Sequence, residues 1–151
     1  MEKKELELYI HIPFCVRKCN YCDFLSFPAD EDTQRQYVKA LCKEIFYYGA
    51  HCRDYVVSTV YIGGGTPSWL WESDMAEIMD AVHKNFALLP DGEVSVECNP
   101  GTVTAQKFAV YRQSGINRIS LGLQSAQNVE LKMLGRIHTW EQFLKTYELA
   151  R

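Results

Sequence analysis

The chain alternates short β-like runs with longer helical patterns, and this alternation constrains its fold more than any other feature. Strands that alternate with helices indicate parallel βα units. No repeated motif, linker or low-complexity stretch interrupts the pattern, so residues 1–151 are predicted to form one α/β domain of about four units. The predicted strands are Leu8–Ile12, Ser58–Ile62, Val94–Cys98 and Arg118–Leu123.

The helices are predicted from apolar periodicity and from capping residues. The first spans about Gln34–Tyr48, with Asp32 or Thr33 as its cap, and its inner face comprises Val38, Leu41, Cys42, Ile45 and Phe46. Ser68 or Ser73 caps the second, which buries Met75, Ile78, Met79, Val82 and Phe86. A turn is predicted at Pro90–Gly92. The remaining helices run from Thr102 or Thr104 to Gly115, near Asn128–Leu134, and from the capping box Thr139–Gln142.

Composition excludes several classes of protein. The chain is 47% hydrophobic with a net charge of −3, so it has no basic footprint for nucleic acid. No apolar run approaches the roughly 20 residues that span a bilayer, and the charged Met1–Glu7 does not resemble a signal peptide. Without export, the six cysteines are expected to be reduced thiols or metal ligands. We therefore predict a cytoplasmic protein.

Residues suited to chemistry follow each predicted strand. In parallel α/β folds ligands collect at the carboxyl ends of the strands. Cysteines follow the first strand, Gly63–Thr66 follows the second, Glu97 closes the third and Gln124 follows the fourth. This shared placement predicts one composite site.

Three of the cysteines, Cys15, Cys19 and Cys22, have C-x3-C-x2-C spacing. Structural zinc sites are closed by four ligands, and ordinary iron–sulfur clusters also take four cysteines. Three thiolates instead suggest a cubane cluster with one iron open to another ligand. A disulfide or zinc framework is the alternative.

The segment from Tyr9 to Cys22, Tyr-Ile-His-Ile-Pro-Phe-Cys-Val-Arg-Lys-Cys-Asn-Tyr-Cys, resembles the radical S-adenosylmethionine (SAM) superfamily. Within it, the segment is similar to the oxygen-independent coproporphyrinogen III oxidase-like group, which contains HemN and HemW. The resemblance implies the N-terminal part of an open (β/α)6 partial barrel with outer helices, within a longer protein. It also implies a [4Fe-4S] cluster whose open iron binds SAM, and cleavage of SAM to a 5′-deoxyadenosyl radical.

The resemblance implies a role for several further residues. Gly64, Gly65 and Thr66 would lie along the methionine part of SAM, Glu97 would bind the ribose hydroxyls, and Gln124 and Arg136 would complete the site. Arg136 suits the methionyl carboxylate, which a guanidinium binds with two parallel hydrogen bonds. Tyr21 would lie near the adenine and Tyr9 would contact SAM from the first strand, although Tyr9 is equally consistent with a core residue. No catalytic residue is assigned.

The remaining candidates have simpler interpretations beside the functional ones. His11 shares a strand face with Tyr9 and is either a satisfied core histidine or a neighbour of the cluster. Cys42 and Cys98 are expected to be small buried residues, and Cys52 is unassigned. Arg17 and Lys18 bring positive charge to the cysteine loop.

Phe24 bears on the choice within the family, because the oxidases carry a further cysteine at this position. The chain therefore resembles HemW more than HemN, which implies a haem chaperone that binds haem and passes it to acceptor proteins. The expected reductant is flavodoxin or ferredoxin. The alternatives are an oxidase that decarboxylates coproporphyrinogen III, and a zinc- or cluster-stabilised binding module without SAM chemistry. Whether the protein is an enzyme stays open.

Overall fold

The computed structural model describes residues 4–151, so the predicted charged segment Met1–Glu7 lies partly outside the described residues. Its four strands form one parallel sheet in the order β1-β2-β3-β4, which confirms the predicted α/β class. Among residues 4–151, no helix combines the length and apolar character that a bilayer crossing requires. The elements are β1 (Lys4–Ile12), α1 (Glu31–His51), β2 (Tyr55–Gly64), a 3-10 turn (Pro67–Trp69), α2 (Glu72–Asn85), β3 (Leu88–Cys98), α3 (Ala105–Gln113), β4 (Arg118–Leu121), α4 (Asn128–Met133) and α5 (Trp140–Ala150).

The sheet has one apolar face and one polar, aromatic face. The buried strand residues that pack with the helices are Ile10, Ile12, Val60, Ile62, Val94 and Val96. Side chains alternate along a strand, so Tyr9, Tyr61 and Glu97 point to the opposite face. The hydrophobic core therefore lies between sheet and helices, and the other face is left for polar contacts.

Helix α1 begins three residues earlier than predicted, because Asp30 is its N-cap and accepts a hydrogen bond from the Thr33 N–H at 2.8 Å. The predicted caps Asp32 and Thr33 are therefore wrong. The predicted burial of Phe46 is also wrong, since this side chain is 66% exposed. The buried stripe runs instead through Gln34, Val38, Leu41, Ile45 and Gly49, and the residue after Ile45 turns about 100° away from it.

The region from β2 to β3 departs from the prediction in two places. Trp71, not Ser68 or Ser73, is the N-cap of α2, and Ser68 is buried in the preceding 3-10 turn. The predicted turn at Pro90–Gly92 lies inside β3, where the pairing with β2 shifts between Leu88 and Glu93. A bulge thus absorbs the turn residues within one strand.

The later helices follow the sequence signals closely. Thr104 caps α3, and Gly115 follows its end with a φ of +89°, where a side chain would be strained. Thr139 and Gln142 form the predicted capping box of α5. Local hydrogen bonding therefore fixes these boundaries.

A buried lysine ties α3 to the loops that follow β2 and β3. The Lys107 Nζ donates to the carbonyl oxygens of Ser68 at 3.0 Å, Leu70 at 2.9 Å and Thr102 at 3.4 Å. Burial lowers the pKa of Lys107. Three carbonyl dipoles therefore satisfy this cation in place of a carboxylate.

Replacing Lys107 with Met should destabilise the protein, because a side chain of similar length would leave the three carbonyl groups without their donor. We expect a loss of about 2 kcal/mol in the free energy of unfolding, measured by urea denaturation of the full-length protein. The exposed Lys145 provides the matched control, and K145M should change this free energy by less than about 0.5 kcal/mol. Equal stability of K107M and K145M would show that the hydrogen bonds from Lys107 to the three carbonyl groups do not stabilise the fold.

Candidate functional site

The loop that carries the three cysteines closes back on itself at its base. Phe14 pairs with Phe27, the Cys15 N–H donates to the Phe27 carbonyl at 3.3 Å, and the Phe27 N–H donates to the Pro13 carbonyl at 2.9 Å. Cys15 is buried, whereas Cys19 and Cys22 are half-buried. The thiols are thus presented from a loop with a fixed base.

The tip of the same loop is held by a distant part of the chain. The Asn20 backbone N–H donates to the Leu134 carbonyl at 3.1 Å, and its Nδ2 donates to the Met133 carbonyl at 3.0 Å. These carbonyls lie at the C-terminal end of α4, where helix carbonyls have no partner within the helix. Asn20 therefore docks the cysteine loop onto α4.

The glycine loop after β2 is bonded directly to the cysteine loop. The Gly65 N–H donates to the Ile12 carbonyl at 2.8 Å, and the Thr66 N–H donates to the Phe14 carbonyl at 2.7 Å. A Cβ at Gly65 would lie 2.6 Å from the Phe14 oxygen, and Gly64 has a φ of +121°. Both glycines are therefore required for this close approach.

Glu97 has a defined partner for each carboxylate oxygen. Its Oε1 accepts from the Tyr61 hydroxyl at 2.7 Å, and its Oε2 accepts from the Gly64 N–H at 3.1 Å. Burial and the Glu97 carboxylate raise the pKa of Tyr61 to about 12, so the phenol stays a neutral donor. The orientation of Glu97 is therefore fixed before any ligand binds.

Tyr9 lies beside this pair. Its ring stacks on Tyr61 with the centroids 6.2 Å apart, and its hydroxyl is 3.0 Å from His11 Nδ1. His11 Nε2 contacts the Leu25 carbonyl at 3.0 Å. Both ring nitrogens of His11 therefore have partners, which fits the satisfied-histidine interpretation.

Arg136 joins the connection between α4 and α5 to the site. Its Nη2 donates to Asn99 Oδ1 at 2.9 Å and to the Gly122 carbonyl at 2.7 Å. Its Nη1 lies 3.7 Å from Cys19 Sγ and 3.4 Å from the Tyr21 hydroxyl. Burial raises the pKa of Tyr21. The guanidinium is thus oriented by neutral oxygens and contacts one of the three thiols.

A single cavity of about 460 Å³ gathers these groups at the carboxyl ends of the strands. Tyr9 is absent from its lining, and this residue is 60% exposed. Every other residue to which the resemblance assigns a role borders this cavity: Cys15, Cys19, Cys22, Tyr21, Gly64, Gly65, Thr66, Glu97, Gln124 and Arg136.

The donor set in this cavity suits an iron–sulfur cluster with an anionic ligand beside it. Three cysteines border this one cavity, and the buried Arg136 Nε has no hydrogen-bond partner. Within the described residues, no three Cys, His, Asp or Glu side chains converge closely enough to hold a single metal ion. A cubane makes a different demand, because each thiolate binds a different iron, so the three sulfurs do not have to converge on a single metal ion.

The other three cysteines lie outside the cysteine loop. All six thiols are unpaired in the part of the chain that the structure describes. Cys98 borders the cavity, but burial raises the pKa of its thiol to about 12. Cys42 is half-buried on α1, and its Sγ contacts the Glu77 carbonyl at 3.9 Å. Cys98 thus behaves as a small buried residue, as predicted.

Three residues that hold groups of the site in place were not predicted from sequence: Tyr61, Asn99 and His138. His138 is buried, and its Nε2 contacts the Leu123 carbonyl at 3.1 Å. Gln124, which follows Leu123, has a φ of +73°, in the left-handed region that non-glycine residues seldom adopt. His138 therefore supports the strained backbone that places Gln124.

Comparison with protein families matches residues 9–151 to the radical SAM superfamily. The chain is 42% identical over 146 residues to the heme chaperone HemW of Escherichia coli, covering 96% of this chain and 39% of that protein. It is 37% identical over 151 residues to the heme chaperone HemW of Haemophilus influenzae, covering 97% of this chain and 39% of that protein. The chain thus spans 39% of the length of each of these relatives.

The fold is also similar to a solved structure of HemN, the coproporphyrinogen III oxidase of Escherichia coli. The TM-score is 0.91 at 29% identity, and the match covers 99% of this chain and 35% of that one. The four parallel strands and their helices therefore match the N-terminal part of that radical SAM fold.

Histidine 138 should make the stability of the protein depend on pH. Burial, and next the charge of Arg136, lower the pKa of His138 below its ordinary value of 6.5. The unfolded chain therefore binds more protons than the folded one as pH falls below that value, and stability is lost with falling pH. Urea denaturation at about pH 7.5 and about pH 5.5 should show a smaller loss in H138Q than in the wild type.

The control for this experiment is the exposed His83, which also contacts a backbone carbonyl, that of Ser114 at 3.0 Å. H83Q should keep the wild-type loss of stability between the two pH values. The same loss in H138Q as in the wild type would show that His138 does not contribute.

Proposed function

The chain belongs to the radical SAM superfamily, and we propose that Cys15, Cys19 and Cys22 hold a [4Fe-4S] cluster whose open iron binds SAM. One observation carries this proposal. All three cysteines border the same cavity as the glycine loop, Glu97 and Arg136. When bound, the cluster would supply the electron that cleaves SAM.

The chemistry of each wall of the cavity suits a different part of SAM. Arg136 offers a positive charge next to Cys19, which suits the methionyl carboxylate beside the cluster. The backbone of Gly64 and Gly65 permits a close approach by the methionyl chain. Glu97 is held by Tyr61 and Gly64 and presents a fixed acceptor to the ribose hydroxyls.

Two of the predicted SAM contacts need separate treatment. Gln124 is exposed at the cavity border and is available to the ligand. Tyr9 has no direct hydrogen bond with Glu97, because its ring stacks on Tyr61 and the Tyr61 hydroxyl donates to the Glu97 carboxylate. We therefore propose that Tyr9 supports Tyr61, which orients Glu97, and that direct contact with SAM requires the Tyr9 side chain to turn.

We further propose that the whole protein is a haem chaperone that binds haem and passes it to acceptor proteins. The relatives with 42% and 37% identity are named heme chaperones. Phe24, which stands where the oxidases have a further cysteine, borders the cavity and is 64% exposed. No thiol is therefore available there for an oxidase-like role.

The second candidate is oxidative decarboxylation of coproporphyrinogen III, which the similarity to HemN favours. The anaerobically purified full-length protein distinguishes the two. Haem that stays bound through gel filtration, without turnover of coproporphyrinogen III under dithionite and SAM, supports the chaperone. Formation of protoporphyrinogen IX would replace it with the oxidase. The flavodoxin or ferredoxin reductant, the cytoplasmic location and the N-terminal position of this domain in a longer chain stay predictions.

The open iron can be tested by EPR of the reduced cluster in the reconstituted full-length protein. Adding SAM should change the signal, because the amino and carboxylate groups of SAM would bind the fourth iron. A signal that is the same with and without SAM would contradict the open-iron proposal. A colourless protein that holds one zinc per chain would instead support a zinc-stabilised binding module.

Alanine substitution of two cysteines should separate ligands from bystanders. C19A should abolish the cluster, because it removes one of three thiolates and leaves Arg136 without its sulfur contact. C42A removes a thiol on α1 that does not border the cavity, and it should leave the cluster intact. Iron and sulfide content after anaerobic reconstitution measures both. Equal loss in the two variants would mean that the ligands are wrongly assigned.

A further inference from the structure

Asn99 links two of the proposed SAM contacts through one side chain. Its Nδ2 donates to Thr66 Oγ1 at 3.0 Å, and its Oδ1 accepts from Arg136 Nη2 at 2.9 Å. Asn99 directly follows β3, whereas Thr66 follows β2 and Arg136 follows α4. One amide group therefore connects three separate segments at the border of the cavity.

The backbone of Asn99 is fixed independently of its side chain. Its N–H donates to Ser68 Oγ at 3.1 Å, and its carbonyl accepts from the Thr102 N–H at 3.1 Å and from Thr102 Oγ1 at 2.7 Å. Any residue other than proline offers these backbone groups. Substituting the side chain therefore tests the contacts with Thr66 and Arg136 while leaving the turn itself intact.

The oxygen contacts of Arg136 leave its charge without a carboxylate partner. Its oxygen acceptors are the Asn99 amide, the Gly122 carbonyl and the Tyr21 hydroxyl, all of them neutral. Within residues 4–151, no Asp or Glu oxygen forms an ion pair with this guanidinium. A carboxylate at position 99 would reach the same nitrogen and would form a charge-assisted pair with it.

We infer that Asn99 is a positioning residue, whose neutral amide orients Arg136 and Thr66 toward the carboxylate of the ligand without neutralising the guanidinium. This inference rests on the proposed function, in which the carboxylate is that of SAM. The choice of amide over acid at this position then sets the affinity for the methionyl end of SAM.

The test compares N99D and N99A in the anaerobically reconstituted full-length protein. The affinity for SAM is measured by titration of the EPR signal, and decarboxylated SAM serves as the ligand without the carboxylate. N99D should weaken SAM binding about tenfold or more, because its carboxylate competes with that of SAM for Arg136. N99A should weaken it less, since it loses the orienting amide but keeps the charge free.

The order of the two variants separates positioning from a structural role. Asp is nearly the same shape as Asn, so a purely structural role would make N99A the more damaging change. The affinity for decarboxylated SAM should be the same in N99D and in the wild type. In an R136Q background, adding N99D should cause a smaller loss of SAM affinity than in the wild-type background, because no guanidinium is left for the two carboxylates to compete for.

Several results would overturn the inference. They are wild-type SAM affinity in N99D, a larger loss in N99A than in N99D, an equal loss for both ligands, or a loss on adding N99D to R136Q as large as in the wild-type background. Failure of N99D to fold or to load its cluster would also count against it. If the wild-type protein itself does not respond to SAM, the proposed function fails and the inference fails with it, whereas a normal wild-type response confines the failure to Asn99.

Discussion

The site depends on two backbone hydrogen bonds that extend the pairing of β1 and β2 beyond the sheet. The Gly65 and Thr66 N–H groups bond to the carbonyls of Ile12 and Phe14, which lie at the base of the cysteine loop. These bonds require glycine, because a Cβ at position 65 would collide with the Phe14 oxygen. These two hydrogen bonds thereby join the glycine loop after β2 directly to the base of the cysteine loop.

Lys107 and Arg136, two cations at this edge of the sheet, have different roles. Lys107 is buried, and its ammonium group donates to three carbonyl oxygens, so it links the loops that contain those carbonyls. Arg136 is also held by neutral oxygens, but it faces the cavity and contacts Cys19. One cation therefore stabilises the frame, and the other is available to a ligand.

Sequence periodicity was sufficient for the parallel arrangement of the strands, and the capping box at Thr139 was found as predicted. The errors arose where tertiary packing chose between local signals. Phe46 is apolar but lies one position beyond the buried stripe of α1, and Pro90–Gly92 was absorbed as a bulge in β3. Neither the exposure of Phe46 nor the bulge at Pro90–Gly92 can be predicted from local sequence, because both depend on packing against other segments.

The candidate site shows the same division. The cysteines, the glycine loop and Glu97 could be placed in one cavity, because the carboxyl ends of parallel strands share an edge. Tyr61, Asn99 and His138 were missed, since each acts through a partner on another segment. Asn99 in Asn-Pro-Gly gave the local signal of a strand end, which concealed its contact with Arg136. The docking of Asn20 on α4 has a further consequence for biogenesis. Asn20 and Met133 are 113 positions apart, and Cys19 and Arg136 are 117 apart. The thiols thus leave the ribosome long before the residues that hold their loop. A cluster of the kind proposed here would therefore meet its complete binding loop only after most of residues 4–151 have been synthesised.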